Sequence, residues 1–197
     1  TTELRTLLIL IKKLIILIYE KIYNNWFVLN NSFKFRNIHK SDINQILAIY
    51  NYHIKNGLGN FDEKTWTFSE FNNLYETILN EKLPFIVCEI NKKLIGFTYL
   101  NKFRNKSGYR FSFENSIYVD SEYISMGIGS KLLEKLITSS KLNPNIKTII
   151  AVIGSYNSDQ SVKIHKKNGF DYVGTLKKVG FKNNHWLDSI LMQKIIN

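Results

Sequence analysis

The stretch "YRFSFENSIYVDSEYISMGIGSKLL" (Tyr109–Leu133) joins an alternating segment to two glycines and an apolar run. The residues up to Val119 alternate in polarity, which predicts a β-strand with Glu114 near the centre of its polar face. Gly127 and Gly129 then open a segment whose leucines and isoleucines recur at helical spacing. This order of strand, glycine loop and helix decides the fold.

The glycine loop has two interpretations. It is either an ordinary turn into a helix, or a cradle in which several backbone N–H groups point at one anion, assisted by the helix dipole. The residue directly after the second glycine is Ser130 and not lysine, which excludes an NTP-binding loop of the P-loop type. The preceding strand, with its central carboxylate, favours the anion-binding interpretation.

The polar face of the predicted strand also has two interpretations. A sheet face in contact with water would explain it, and so would the wall of a cleft. In a partly desolvated cleft, the pKa of Glu114 would rise, and its carboxylate would take up protons near neutral pH.

The remaining pattern predicts the order β-α-α-β-β-β-α-β-α-β-β from Phe33 to the C-terminus. Ser41 is the expected N-cap of the first helix. The run "TIIAVI" (Thr148–Ile153) predicts a central strand buried on both faces. This mixed order indicates a single α/β domain of two or three layers. The second helix is expected to turn one side inward: Phe71, Leu74, Ile78 and Leu79.

Composition and charge bound the function only loosely. The chain has 197 residues, enough for one domain with a hydrophobic core. A formal charge of +11 favours anionic partners, whether nucleic acid, a membrane surface or phosphorylated small molecules. The single cysteine, Cys88, excludes an intrachain disulfide and suits a reducing compartment such as the cytoplasm. Because it lies in the apolar run "FIVCEI", we expect a buried structural thiol.

The first 32 residues form a separate extension. Residues 4–23, "LRTLLILIKKLIILIYEKIY", are apolar, but Lys12 and Lys13 interrupt them and make a bilayer span costly. Three interpretations are open: a helix that packs on the domain or on a second subunit, weak membrane-surface contact, or an organelle-targeting leader. Residues 24–32 are predicted to be a linker.

The chain from Phe33 onward resembles the GNAT N-acetyltransferases, and within them the phosphinothricin acetyltransferase-like group. Three segments carry the similarity: "GYRFSFENSIYV" (Gly108–Val119), "GIGSKLLEKLI" (Gly127–Ile137) and the C-terminal third, Ile150–Gln193. The block "VGFKNNHWLD" in that third is specific to the group. The resemblance implies one domain over residues 33–197, an α/β fold with a mixed, mostly antiparallel central sheet that splays between its two central strands, and helices on both faces.

The resemblance also implies an acyltransferase that moves an acetyl group from acetyl-CoA to the primary amine of a small anionic metabolite, such as phosphinothricin or methionine sulfoximine, without a metal. A homodimer is the implied assembly. Two alternatives are open: an amino-sugar phosphate such as glucosamine 6-phosphate as the acceptor, or an inactive GNAT-like binding domain. Nucleic acid is not an expected partner, because the domain has no basic helix with interleaved aromatic residues.

Site residues follow from the same resemblance. Glu114 matches the catalytic carboxylate, and His165 matches a histidine that either relays protons or is simply packed. A backbone N–H of Tyr118 or Val119 is expected to stabilise the oxyanion. The pantetheine arm is expected to pair with the backbone of Ile117, Tyr118 and Val119. The residues expected to hold the rest of the coenzyme are Ser125, Met126, Gly127, Ile128, Gly129, Ser130 and Asn157.

The expected acceptor-binding residues are Arg104, Lys106 and Tyr109, in "FRNKSGY", together with Phe61. Two cations and a phenol suit a carboxylate plus a phosphoryl or phosphinyl group. A solvated basic loop is the alternative explanation. Ile124 departs from the family pattern, which usually has glutamine or arginine there, so the backbone is expected to hold the pyrophosphate without help from a side-chain cation.

Overall fold

The computed structural model describes residues 4–16, 18, 33–156 and 158–196. The chain forms two compact units, Thr1–Phe33 and Lys34–Asn197. In the first unit, residues 4–16 form helix α1. The predicted linker at 24–32 and the C-terminal part of the 4–23 segment lie outside the described residues. Within the described part of the chain, no helix has both the length and the hydropathy to cross a membrane.

The second unit contains the remaining strands and helices. The strands are β1 (Lys34–Asn37), β2 (Phe85–Ile90), β3 (Lys93–Lys102), β4 (Ser112–Val119), β5 (Thr148–Gly154), β6 (Asp171–Lys182) and β7 (His185–Ile195). The α-helices are α2 (Ile43–Asn56), α3 (Phe68–Asn80), α4 (Ile128–Ser140) and α5 (Asp159–Lys167). Their order along the chain is the predicted one.

The seven strands form one mixed sheet in the order β1-β2-β3-β4-β5-β7-β6. All neighbours are antiparallel except β4 and β5, which are parallel. The β4–β5 register ends at the pair Glu114–Ile150, although β4 continues to Val119 and β5 to Gly154. The two central strands therefore part beyond Glu114, and the predicted splayed mixed sheet is confirmed.

Helices cover both faces of this sheet. The ring of Phe71 on α3 lies 6.1 Å from that of Phe97 on β3. The preceding residue, Gly96, faces the other way, and a Cβ there would lie 3.2 Å from Leu132 on α4. Because successive strand residues point to opposite faces, α3 and α4 pack on opposite sides of the sheet.

Two predicted helix details are wrong. Ser41 does not cap α2: it lies in a 3₁₀ turn, Lys40–Asp42, and α2 begins at Ile43. The carboxylate of Asp42 accepts the His39 N–H at 2.7 Å and also pairs with an arginine. On α3, Leu79 is 42% exposed, and Tyr75 is buried instead, because Leu79 lies at the edge of the apolar stripe.

Two predicted strand details are also wrong. The strand expected over Tyr109–Val119 begins only at Ser112, because Tyr109 belongs to a 3₁₀ turn. On β5, Ile149, Ala151 and Ile153 are buried, whereas the residues between them are only partly buried. The strand is central but not buried on both faces, because the splay opens one side of it.

Cys88 lies on β2 with its side chain fully buried, and it forms no disulfide. Burial raises the pKa of its thiol to about 12. A thiol protonated at neutral pH inside a core packs as an apolar side chain, which confirms the predicted structural role.

Candidate active site

Two cavities lie where β4 and β5 part. The larger, here called the cleft cavity, has a volume of about 490 Å³ and is lined by Glu114 together with side chains from α2, β3, β5 and the loop before α3. The smaller, here called the loop cavity, has about 250 Å³ and is lined by β4 and the glycine loop. Both cavities are lined by His53, Ile117, Tyr118, Ser161 and His165.

Glu114 lies on the wall of the cleft cavity, at the last residue pair of β4 and β5. Burial raises the pKa of Glu114 to about 7, because the charged carboxylate loses hydration there. Near neutral pH, this group can both take up and release a proton. The structure thus favours the cleft-wall interpretation of the polar strand face.

The backbone of β4 beyond Glu114 has one edge free of β5. The N–H of Asp120 donates to the carbonyl oxygen of Ile95 on β3 at 2.9 Å. Backbone groups in an antiparallel ladder alternate in direction. The backbone N–H and C=O of Tyr118 therefore also face β3, whereas those of Ile117 and Val119 face the opening. Of the two N–H groups expected to stabilise an oxyanion, that of Val119 therefore faces the gap between β4 and β5, on the side of the loop cavity.

The two glycines of the loop have different local environments. Gly127 precedes the first residue of α4 and has φ +78°, a left-handed conformation that few other residues adopt readily. At Gly129, a Cβ would lie 3.4 Å from the end of the Ile164 side chain on α5, which is an ordinary van der Waals contact. The first N–H groups of a helix have no intrahelical acceptor, and here they begin beside the loop cavity.

Most of the predicted coenzyme-binding residues meet at the loop cavity, although two of the loop residues do not line it. Met126 and Ser130 belong to the same loop and helix start, but neither is part of the lining. Asn157 lies outside the described residues; its neighbours Tyr156 and Ser158 line the cleft cavity. Those that line the loop cavity are Ile117, Tyr118, Val119, Ser125, Gly127, Ile128 and Gly129.

His165 is 4% exposed, and both of its ring nitrogens are hydrogen-bonded within the protein. Nδ1–H donates to the carbonyl oxygen of Ser161 at 2.8 Å, so Nε2 is the acceptor for the amide of Asn115 at 3.0 Å. Burial lowers the pKa of His165, which keeps the ring neutral. A proton relay would require Asn115 to release Nε2, and that role stays a prediction.

Phe61 lies on the wall of the cleft cavity together with its neighbours Asn60 and Asp62. The amide of Asn60 donates to the hydroxyl of Tyr118 at 3.2 Å, and Asp62 accepts the hydroxyl proton of Tyr50 at 2.7 Å. Sequence analysis missed this polar network. The glycines of "NGLGNFDE" mark a loop between helices, but no local pattern indicates what that loop contacts.

His53 is a further residue that sequence analysis missed. It lies near the end of α2 and lines both cavities. Its Nε2–H donates to the carbonyl oxygen of Val119 at 2.8 Å, which fixes the end of β4. A lone histidine on a helix carries no indication of such a contact.

The structure does not bring Arg104, Lys106 and Tyr109 to the two cavities. They lie in the loop after β3, where the Arg104 guanidinium stacks 5.1 Å from the Phe103 ring and 5.8 Å from that of Tyr109. None of the three predicted residues is in either lining described above. The last residues of β3, Asn101 and Lys102, do line the cleft cavity, so the loop begins at its rim.

Potential metal ligands are also relevant to the chemistry of the site. In the described part of the chain, there is no cluster of three or more histidine, cysteine, aspartate or glutamate side chains arranged to hold a metal ion. The titratable groups that line the cavities are individual side chains such as Glu114 and His165.

Comparison with known proteins identifies the family. The family model described as "Acetyltransferase (GNAT) domain" matches residues 35–191. Phosphinothricin N-acetyltransferase of Alcaligenes faecalis is 35% identical over 162 residues, 82% of this chain and 82% of that protein. L-methionine sulfoximine/L-methionine sulfone acetyltransferase of Salmonella typhimurium is 29% identical over 154 residues, 78% of this chain and 89% of that protein.

Among solved structures, a GNAT superfamily phosphinothricin acetyltransferase from Sinorhizobium meliloti, in complex with AcCoA, superposes with a TM-score of 0.79. It is 32% identical, and the match covers 84% of this chain and 89% of that one. The family model, the curated relatives and the shared fold agree with one another and with the resemblance seen in the sequence. This chain belongs to the GNAT acetyltransferase family.

Proposed function

We propose that this protein transfers an acetyl group from acetyl-CoA to the primary amine of a small anionic metabolite of the phosphinothricin or methionine sulfoximine class. The observation that carries the proposal is Glu114, a carboxylate with a raised pKa, at the point where the central strands part. The relatives named above acetylate such amino acids according to their names, and they match most of this chain.

The loop cavity suits the coenzyme. Its lining has backbone N–H groups at the start of α4, in the geometry that binds pyrophosphate. The backbone of Ile117 faces the gap, where an extended pantetheine arm would pair with it. Acetyl-CoA supplies the activated thioester carbonyl.

Glu114 would act as the general base. An amine at neutral pH is largely an ammonium ion, and only the neutral amine can attack a carbonyl carbon. A carboxylate with a pKa of about 7 can remove that proton, directly or through a water molecule. The N–H of Val119, which faces the gap between β4 and β5, would stabilise the negative charge that develops on the carbonyl oxygen. As the amide forms, the carbon–sulfur bond breaks and coenzyme A leaves as a thiolate. Of the two protons that the ammonium group loses, one is taken up by this thiolate and the other goes to solvent.

The acceptor would occupy the cleft cavity between Glu114 and the Phe61 wall. The cationic loop at its rim supports an anionic acceptor, because Arg104 and Lys106 follow directly after the lining residues of β3. A guanidinium and an ammonium suit carboxylate and phosphinyl oxygens. Tyr109 stacks with Arg104 and would help to orient its guanidinium.

The test is a thiol-release assay with acetyl-CoA against phosphinothricin, methionine sulfoximine, aspartate, glucosamine 6-phosphate and a lysine peptide. We expect turnover of at least one small anionic amino acid. Turnover of glucosamine 6-phosphate alone would replace the acceptor class. No turnover, together with no acetyl-CoA binding by calorimetry, would contradict the enzyme proposal and favour an inactive binding domain.

We further propose that the protein is a homodimer that associates through the β6–β7 end of the sheet. β6 is an edge strand, and an apolar edge in contact with water favours association. Light scattering should give twice the chain mass of 23.1 kDa. The substitution Trp186→Asp should reduce the measured mass to that of a monomer. The exposed apolar side chains of this end are Tyr172, Val173, Leu176, Val179, Phe181 and Trp186.

The role of residues 4–23 is a separate proposal. The interpretations are packing on the domain or on a second subunit, a membrane-surface contact, and an organelle-targeting leader. Deleting residues 1–31 tests two of them, because loss of dimer mass indicates a second-subunit contact and loss of liposome binding indicates a membrane-surface contact. We take the cytoplasm as the working location, on the ground of the single buried thiol.

A further inference from the structure

Lys182, the last residue of β6, is buried in an unusual way for a lysine. It is 1% exposed and ranks among the largest fully buried side chains. Its Nζ donates to the backbone carbonyl oxygen of Asn60 at 2.7 Å. Burial lowers the pKa of Lys182, because an ammonium ion loses hydration there. Such a group is costly to bury, and its one described hydrogen bond reaches a loop that is 122 residues away in sequence.

The loop that accepts this hydrogen bond is tied to the rest of the site by its own side chains. We call residues 58–62 the cap loop. The side-chain amide of Asn60 donates to the hydroxyl of Tyr118 on β4, and its oxygen accepts the backbone N–H of Asp62. The carboxylate of Asp62 accepts the hydroxyl proton of Tyr50. These contacts attach the cap loop to α2 and β4. Lys182 attaches it to β6 on the other side.

The aromatic ring of the cap loop lies against two glycines. A Cβ at Gly180 would lie 2.9 Å from the Phe61 ring, and a Cβ at Gly154 would lie 3.0 Å from it. Gly180 is two residues before Lys182 on the same strand. This end of β6 therefore provides both the hydrogen-bond donor and the space that the cap loop needs in order to lie where it does.

We propose that Lys182 is a positioning residue that fixes the cap loop on the wall of the cleft cavity and so sets the affinity for the amine acceptor. The inference rests on the proposed acetyl transfer. Gly59, Asn60, Phe61 and Asp62 line the cleft cavity, and none of them lines the loop cavity. Loss of Lys182 should therefore weaken acceptor binding and spare the coenzyme.

The experiment compares Lys182→Met with Lys178→Met, which removes an exposed ammonium from the same strand. For Lys182→Met, we expect the KM for the best acceptor to rise about tenfold or more, because a charge-assisted hydrogen bond is lost. The Kd of acetyl-CoA should stay within about twofold, and kcat should fall less than KM rises. Lys178→Met should behave as the wild type.

Gly180→Ala is a second, independent variant. Its Cβ would displace the Phe61 ring without touching the ammonium, so the same rise in acceptor KM is expected. Hydrogen exchange of the peptide that covers residues 57–66 should quicken in Lys182→Met, and that of β4 should not. This measurement requires no substrate, so it tests the positioning role even if the proposed function fails.

Unchanged acceptor KM and unchanged exchange of the cap loop in Lys182→Met would overturn the proposal. An equal loss of acetyl-CoA binding and acceptor binding would overturn it too, because it would indicate general damage. If Lys182→Met does not fold, Lys182→Gln takes its place with the same expected split between KM and Kd.

Discussion

The two cavities are built in different ways. The loop cavity is formed mainly by one continuous segment, from Ile117 to Gly129, and its lining is completed by His53 and residues of α5. The cleft cavity draws on α2, the cap loop, β3, β4, β5 and α5, and it contains the carboxylate with the raised pKa. Binding through the backbone N–H groups of one segment tolerates side-chain changes. A site assembled from distant side chains does not.

The comparison teaches where substitutions should act. Substitutions in the cleft cavity should alter the rate of the chemical step or the affinity for the acceptor. Substitutions in the loop cavity should alter only the affinity for the coenzyme. A variant that crosses this division would show that the two cavities are coupled through the residues they share, such as Tyr118 and His165.

The largest effect is expected for Glu114→Gln, which removes the base but keeps the shape of the side chain. We expect kcat to fall by about a hundredfold or more, with acetyl-CoA affinity unchanged. Single-turnover rates and calorimetry measure the two quantities. Glu122→Gln, at an exposed glutamate in the turn after β4, is the control. A preserved rate in Glu114→Gln would remove the base assignment.

The pH dependence of the wild type should be the next largest effect. Burial raises the pKa of Glu114 to about 7, so below that pH the group is protonated and cannot accept a proton. We expect kcat/KM to fall about tenfold per pH unit below 7 and to level off above it. This decrease below pH 7 should be absent in Glu114→Gln. A flat wild-type profile between pH 5 and about 8 would contradict the prediction.

Gly127→Ala should give a smaller effect, confined to the coenzyme. The residue has φ +78°, and an alanine there costs roughly 1 kcal/mol of strain even though nothing lies within 4 Å of its Cβ. We expect the Kd of acetyl-CoA to rise about fivefold and the acceptor KM to stay constant. Gly174→Ala, on β6 with nothing within 4 Å of its Cβ, is the matched control. A change in acceptor KM alone would contradict the separate roles of the two cavities.

Ile124→Arg should give the smallest effect, in the opposite direction. Ile124 lines the loop cavity and is 47% exposed, so a guanidinium there would reach a bound pyrophosphate while remaining hydrated. We expect the Kd of acetyl-CoA to fall about threefold at low salt, and the gain to shrink as salt is added. Titration calorimetry at two ionic strengths measures this. A salt-independent gain would indicate packing and not charge.

Much of the fold was predictable from local pattern. The element order was correct, because polarity alternation and helical periodicity reflect burial within a few residues. Three errors were near the ends of elements, at Ser41, Leu79 and the start of β4, and a fourth was the burial expected on both faces of β5. There, tertiary contacts such as the ion pair of Asp42 replaced the local preference.

The candidate site was predictable only in part. Glu114 and the glycine loop are neighbours in sequence, so one segment predicted both. The acceptor residues Arg104, Lys106 and Tyr109 remain predictions, because they rest on a resemblance and lie outside the two cavities. The contacts of Asn60, Gly180 and Lys182 follow no periodic pattern in the sequence, so the residues that they contact could not be inferred from it.

The sequence by itself determined the strand, glycine loop and helix to which we assign coenzyme binding, because adjacent residues and backbone conformation suffice to build them. Only the tertiary structure decided the acceptor half. The raised pKa of Glu114 depends on what surrounds it. The contact of Lys182 with Asn60 joins residues 122 positions apart. Burial and long-range hydrogen bonds exist only once the chain has folded, and these properties govern the chemistry of the cleft.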